Sequence, residues 1–135
     1  MKIDLDDIKS YAAKSRPEIL RDIARIVSVP SVEGKPEPDA PFGKEPKKAL
    51  DLALSIAEEL GLSTRNFENK IGCAELFGES EKYIATITHV DVVPAGDGWS
   101  ADPFTMRERD GWIIGRGVLD DKGPSIICLY ALKYL

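Results

Sequence analysis

A histidine and an aspartate stand two residues apart where the sequence most favours a β-strand. His89 is the only histidine among 135 residues, it ends the predicted strand over residues 82–90, and Asp91 follows. Side chains at positions i and i+2 of a strand project to the same side, so the imidazole and the carboxylate should leave the sheet edge together. A metal-binding histidine with a carboxylate that orients its ring has this arrangement. A structural pair satisfied by hydrogen bonds would have it too, so the pair alone leaves both interpretations open.

Two adjacent carboxylates form the second candidate site. Asp120 and Asp121 precede Lys122-Gly123, at the predicted junction between a strand-like segment and a helix. One carboxylate could face a cation while the other caps the helix, where the helix dipole favours negative charge. The alternative is an ordinary aspartate N-cap beside a solvated neighbour.

Motifs for several other chemistries are absent from the sequence. Gly115-x-Gly117 has no third glycine at dinucleotide-binding spacing, and no phosphate-binding P-loop pattern occurs. Ser31, Ser100 and Ser125 lack the context of a nucleophile elbow.

Composition narrows the classes of partner and compartment. There are 18 basic and 23 acidic residues, for a net charge of −5, which argues against a nucleic-acid or anionic-membrane binder. No apolar run approaches the ~20 residues that span a bilayer, and acidic residues at Met1–Asp7 do not suit a secretory signal. The two cysteines, Cys73 and Cys128, form no CxxC motif and are expected to be thiols. We therefore expect a cytoplasmic protein.

The elements that must position these residues are two helices, then short strands and a hairpin, and then a third helix. Apolar periodicity predicts a helix over residues 4–27, either kinked or restarted at Pro17, and a second helix from Pro46 to a stop at Gly61. Short strands are predicted at 62–67, 71–77 and 82–90, a hairpin around Asp110-Gly111, and a third helix from Gly123. A loop over 33–45 lies between the first two helices. This order predicts an α/β fold with helices covering a sheet.

Five motifs follow one another between His89 and Pro124. They are His89-Val-Asp91-Val-Val-Pro94, Gly98-Trp99, Asp102-Pro103-Phe104, Asp110-Gly111 and Gly115-Arg-Gly117-Val-Leu-Asp120-Asp-Lys-Gly123. Their order and spacing resemble the M20 family of metallopeptidases, and the resemblance covers most of the chain. Pro41-Phe42-Gly43, the Val-Pro-Ala-Gly96 turn and Pro124 resemble the family's bacterial dipeptidase branch typified by PepV.

The resemblance implies a site and a reaction. His89 would be a ligand of one of two zinc ions, Asp91 would orient that histidine and is counted as catalytic in the family, and Asp120 would bridge both metals. Asp121 has no ligand role in the family, and residues 95–104 would line the mouth of the site. The implied fold is the N-terminal part of a three-layer α/β/α catalytic domain with a mixed sheet. The implied substrate is a dipeptide or short peptide.

The resemblance also implies that residues 1–135 are one partial catalytic domain. The family's Glu-Glu pair, a further acidic ligand, a distal histidine and the lid domain follow the segment matched here. We therefore expect a fragment that is inactive alone, and one that self-associates through the apolar third helix. Alternatives are another M20 activity, such as deacylation or desuccinylation of an N-acyl amino acid, or a non-catalytic interaction module if the gene ends at Leu135.

Overall fold

Three helices and two short hairpins make up the regular structure of residues 4–135, which the computed structural model describes. Residues 1–3 of the acidic start lie outside the described range. The helices are α1 (Leu5–Val27), α2 (Lys44–Glu59) and α3 (Lys122–Tyr134). The strands are β1 (Ser63–Phe67), β2 (Ile71–Glu75), β3 (Arg107–Arg109) and β4 (Trp112–Ile114). The predicted α/β class is confirmed.

Helix α1 runs unbroken through its proline. Asp4 is the N-cap, and its carboxylate accepts the backbone N–H of Asp6 at 3.0 Å. Pro17 removes one intrahelical hydrogen bond, but both Pro17 and Ala13 four residues before it are exposed, so water can satisfy the freed carbonyl. The predicted helix over 4–27 is confirmed, and Pro17 does not start a second helix.

Helix α2 packs against the first hairpin. The helix ends at a Leu60 C-cap, and Gly61 follows with φ of 88°, as predicted for a glycine stop. Strands β1 and β2 pair antiparallel and pack on α2. A Cβ atom at Gly72 would lie 2.8 Å from the Leu50 side chain, which shows how closely the hairpin backbone approaches the helix.

The hydrophobic core lies between the helices, with α1 in contact with both α2 and α3. Its fully buried members are contributed by all three helices: Ile23, Ile26, Val27, Ala49, Ile56, Ile126 and Tyr130. The second hairpin closes one side of this core through the half-buried Ile113. Its turn residues Asp110 and Gly111 have φ of 52° and 81°, the geometry that a two-residue type I′ hairpin requires.

The strand predicted at residues 82–90 is wrong for the described chain. These residues pair with no strand, and the side chains of Ile84 and Ile87 are each 97% exposed. A strand is stabilised by a hydrogen-bonded neighbour and by burial of its apolar face. The described residues supply neither for this segment, so high β-propensity produces an extended segment without a sheet.

Candidate metal centre

His89 and Asp120 meet although 31 residues separate them in sequence. The Nε2 atom of His89 lies 3.0 Å from Oδ1 of Asp120. Both side chains are accessible, with 49% of the imidazole and 84% of the Asp120 side chain exposed. The structure thus brings two of the three sequence-predicted site residues into direct contact at the protein surface. They do not meet at the ends of neighbouring strands, because His89 lies outside any sheet.

The third predicted residue, Asp91, faces the other nitrogen of the same ring. His89 Nδ1 lies 3.2 Å from the Asp91 carbonyl oxygen and 3.3 Å from its carboxylate Oδ1. The imidazole is therefore held between two aspartates, one at each nitrogen. Partial desolvation opposes protonation of His89, but the bonds to Asp91 and Asp120 and their charges outweigh it and raise its pKa above the ordinary value.

The main chain around His89 is held by polar groups of α3 and of the loop after α1. The backbone N–H of His89 donates to Asp121 Oδ2 at 3.1 Å, and the Ser125 hydroxyl lies 3.1 Å from the His89 carbonyl oxygen. On the other side, the Ser31 hydroxyl donates to the Val90 carbonyl at 2.6 Å, and Val92 N–H donates to the Ser31 carbonyl at 3.0 Å. These bonds hold the main chain of residues 89–92, which is paired with no strand among the described residues.

Asp121 occupies the N-cap position of α3 without capping it. Its side chain makes no cap hydrogen bond to the helix, because its carboxylate accepts the His89 N–H instead. The expectation that one carboxylate of the pair caps the helix is therefore wrong. The Asp120–Asp121 peptide bond is cis.

Lys122 is fully buried immediately after the aspartate pair. Its Nζ donates to the Val29 carbonyl oxygen at 2.6 Å and so ties the start of α3 to the end of the α1 region. Burial lowers the pKa of Lys122 to about 8, an effect that the nearby Asp91 charge partly opposes. The next residue must be glycine, since a Cβ at Gly123 would lie 2.0 Å from the Val118 carbonyl oxygen.

The loop over residues 93–104 is tied to the segment before α3. The Arg116 guanidinium lies 3.0 Å from the Ala95 carbonyl oxygen and 5.5 Å from the centre of the Trp99 ring. The Trp99 indole N–H donates to the same Ala95 carbonyl at 2.9 Å. A cation over an aromatic ring and two shared hydrogen bonds give this loop a defined shape.

The donors of this centre fit zinc in kind but not in number. Imidazole nitrogen and carboxylate oxygen are both zinc ligands, and a catalytic zinc takes about three ligands from the protein. Within residues 4–135, no group of three or more histidine, cysteine or acidic residues is placed to hold a metal ion. His89 and Asp120 are therefore at most part of a metal site.

Comparisons with known proteins bear on the same part of the chain. Residues 85–135, which carry His89, Asp91 and Asp120, match the family described as Peptidase family M20/M25/M40. The predicted resemblance to the M20 family is confirmed.

Relatives of this M20-like chain extend the similarity beyond the matched segment. A Staphylococcus haemolyticus protein named "Putative dipeptidase SH1171" is 42% identical over 120 residues, or 87% of this chain and 25% of that protein. A Bacillus subtilis protein named "Putative dipeptidase YtjP" is 38% identical over 122 residues, or 89% of this chain and 26% of that protein. The chain thus spans about a quarter of the length of the curated relatives it matches.

A solved structure agrees with the fold. The crystal structure of human carnosine dipeptidase 1 superposes with a TM-score of 0.74 at 25% sequence identity. The match covers 98% of this chain and 31% of that protein. The fold of this chain is therefore similar to that of about a third of human carnosine dipeptidase 1.

Sequence reasoning missed the residues that hold the site from beneath. Ser31, Lys122 and Ser125 are all buried and polar. The two serines belong to none of the five motifs, and Lys122 lies in the last motif without an assigned role. Only the cost of burying a hydroxyl or an ammonium without a partner could have signalled a role, and that cost is visible only once burial is known.

Proposed function

We propose that this chain forms the metal-binding part of a zinc-dependent dipeptidase that hydrolyses dipeptides or short peptides. The observation that carries the proposal is the 3.0 Å contact between His89 Nε2 and Asp120 Oδ1 at the surface. The match of residues 85–135 to M20 peptidases and the dipeptidase names of the relatives support the same reaction.

Each of the three residues has a distinct part in the proposal. His89 and Asp120 would hold zinc through Nε2 and Oδ1, the atoms that face each other in the structure. Asp91 would keep a proton on Nδ1, since its carbonyl and carboxylate oxygens both lie near that nitrogen. A carboxylate or carbonyl in this place fixes the tautomer and the ring orientation of a histidine ligand.

When bound, a pair of zinc ions supplies polarisation of the peptide carbonyl and acidification of a water molecule. The two donors found among residues 4–135 fall short of the protein ligands that such a pair needs. The proposal therefore includes further ligands and a general base from polypeptide outside this chain. It follows that the 135-residue chain should be inactive by itself.

Substitutions in a longer polypeptide that contains this chain test the assigned roles. His89→Ala should abolish dipeptide hydrolysis and lower the zinc content. Asp91→Asn should reduce turnover by ~10–100-fold while most zinc is retained, because it removes an orienting group and not a ligand. Asp7→Asn, at an exposed position in the first turn of α1, is the matched control and should change neither quantity. If Asp91→Asn empties the site as thoroughly as His89→Ala, the assignment of roles is wrong.

The isolated 135-residue chain gives a second test. Calorimetric titration should show zinc binding weaker than roughly micromolar, which corresponds to about 8 kcal/mol, and a dipeptide panel should show no turnover above a His89→Ala control. Tighter binding or turnover would contradict the two-donor interpretation. N-acyl amino acids belong in the panel used for the longer polypeptide, where their preferential hydrolysis would replace the dipeptidase proposal with deacylation.

Self-association, expected from the sequence through the third helix, is a second candidate property of the isolated chain. In α3 the Ile127 side chain is 54% exposed, and the structure adds a more exposed apolar surface. The extended segment at residues 82–90 exposes Ile84 and Ile87 almost completely, and unpaired extended backbone beside apolar side chains favours pairing with another chain. Light scattering at increasing concentration should show dimers or larger species. Ile87→Lys should restore the monomer, and a monomeric wild-type chain at high concentration would contradict the candidate.

A cytoplasmic location is also part of the proposal. Cys73 and Cys128 are both free thiols in the structure, which suits a reducing compartment. Within residues 4–135, no helix combines the length and the apolar character needed to cross a membrane. Fractionation of the producing cell should recover the protein with cytoplasmic markers, and recovery with an exported fraction would contradict this placement.

A further inference from the structure

Two buried serines bind consecutive carbonyl groups of the main chain at the candidate metal ligand. The Ser125 hydroxyl lies 3.1 Å from the carbonyl oxygen of His89, and the Ser31 hydroxyl lies 2.6 Å from that of Val90. Ser31 has 0% and Ser125 7% of its surface exposed. We propose that Ser31 and Ser125, here called the serine pair, are positioning residues that set the orientation of the His89 imidazole.

The hydrogen bonds around the serine pair indicate that it holds the main chain at residues 89–92. Within the described chain, the backbone from residue 83 to 88 makes no hydrogen bond, and hydrogen bonding resumes at His89. Val92, on the far side of Asp91, is bonded to Ser31 and buried. The hydrogen-bonded stretch is thus the one that carries the two candidate site residues, and the serine pair and Asp121 provide its attachments.

Geometry explains how a hydroxyl at these carbonyls can orient a side chain. The carbonyls of His89 and Val90 belong to the two peptide planes between His89 and Asp91. Rotation of either plane would swing the imidazole away from Asp120 or away from Asp91. The Ser125 hydroxyl also lies 2.8 Å from the Asp121 carbonyl, and its single proton is shared between the two carbonyls in a bifurcated bond. This shared bond couples the His89 segment to the first turn of α3, which follows Asp120.

This inference deepens the proposed function, because the ring being positioned is the proposed zinc ligand, but its test needs no metal. His89 is the only histidine, so a long-range ¹H–¹⁵N spectrum of the 135-residue chain contains one imidazole. Recorded at a pH where the ring is neutral, the nitrogen shifts report the ratio of its two tautomers. That ratio is set by the hydrogen bonds at the ring nitrogens. Substitution of a residue with a merely structural role would leave the ratio unchanged.

Ser31→Ala and Ser125→Ala should each change the tautomer ratio of His89 by about twofold or more, since loss of one anchor loosens the ring from its aspartates. Ser28→Ala is the matched control: its hydroxyl donates to the Arg25 carbonyl at 2.7 Å, a bond of the same kind at the end of α1. The control should leave the ratio unchanged. An unchanged ratio in both serine-pair variants that retain their fold would overturn the proposal.

When a variant does not fold, amide hydrogen exchange of the wild-type chain tests the premise of the proposal, that the main chain at residues 89–92 is anchored and that at residues 84–87 is not. The N–H groups of His89 and Val92 should exchange about fivefold or more slowly than those of residues 84–87, because only the former are hydrogen-bonded. Equal exchange across residues 84–92 would overturn the proposal. If zinc and activity measurements fail while the imidazole still responds to the serine-pair variants, the positioning role stands and the metal role falls.

Discussion

The helical core and the extended segment before His89 contain the same kinds of side chain in opposite environments. Ile26 in α1 is 0% exposed, whereas Ile84 is 97% exposed. Both lie in stretches rich in β-branched residues. The difference is that α1 has α2 and α3 against it, while residues 82–90 have no paired strand among the described residues. Apolar character thus contributes to stability only where the fold supplies a partner surface.

Replacing one isoleucine by alanine in each region should give the largest difference in the free energy of unfolding. Ile26→Ala should lower the free energy of unfolding by about 2–5 kcal/mol, since it removes buried methyl groups and leaves a cavity. Ile84→Ala should change it by less than about 0.5 kcal/mol. Urea denaturation of the 135-residue chain measures both. Equal losses would show that Ile84 is buried in solution and would end the comparison.

A network around the buried Asp22 carboxylate joins two of the helices. The Tyr130 hydroxyl donates to Asp22 Oδ2 at 2.7 Å and joins α3 to α1, while Arg21 and Arg25 hold the same carboxylate. Tyr130→Phe should cost about 1.5–3 kcal/mol, the range for a hydrogen bond to a charged group.

Tyr134→Phe is the control for that network. The Tyr134 ring packs against Tyr11 with centroids 5.0 Å apart, and among residues 4–135 its hydroxyl has no hydrogen-bond partner in the structure. It should be nearly neutral in the same denaturation experiment. A Tyr130→Phe effect no larger than this control would show that the bond between the helices is not formed in solution.

Acid should lower the free energy of unfolding by less than the substitutions above, through protonation of Asp22. Burial raises the pKa of Asp22, but hydrogen bonds from Arg21, Tyr130 and Arg25 outweigh it, so the pKa is lowered. Because the pKa of Asp22 is lower in the folded state, the network stabilises the fold fully at pH values above the unfolded-state pKa of about 3.9. This stabilisation is then lost as the pH falls through the folded value.

The unfolding free energy of the wild-type chain should therefore fall more steeply from pH 5 to pH 2.5 than that of Asp22→Asn. The substitution Asp97→Asn, in the exposed loop, should leave the wild-type slope unchanged. Parallel curves for wild type and Asp22→Asn would show that the Asp22 carboxylate does not stabilise the fold as its contacts indicate.

Local signals predicted much of the regular structure. Capping, periodicity and turn geometry act over one or two turns of chain, so they are recognisable within a few residues. Examples are the apolar periodicity of α1 and α2, the helix stop at Gly61 and the turn at Asp110-Gly111. The motifs around His89 and Asp120 likewise selected these residues as candidates for one metal site. The strand predicted at residues 82–90 could not be judged this way, since a strand depends on a neighbouring strand from any part of the chain.

The residue types and their order were enough to establish the M20 resemblance and to select His89, Asp91 and Asp120, because ligand chemistry is a property of the side chains themselves. Folding decided that Nε2 of His89 faces Asp120 and that Asp121 binds the main chain instead of capping α3. It also decided that Ser31, Lys122 and Ser125 lie buried beneath the site. These contacts join residues 31 to 93 positions apart, and such pairings follow from the packing of α1 and α3 and not from any local pattern.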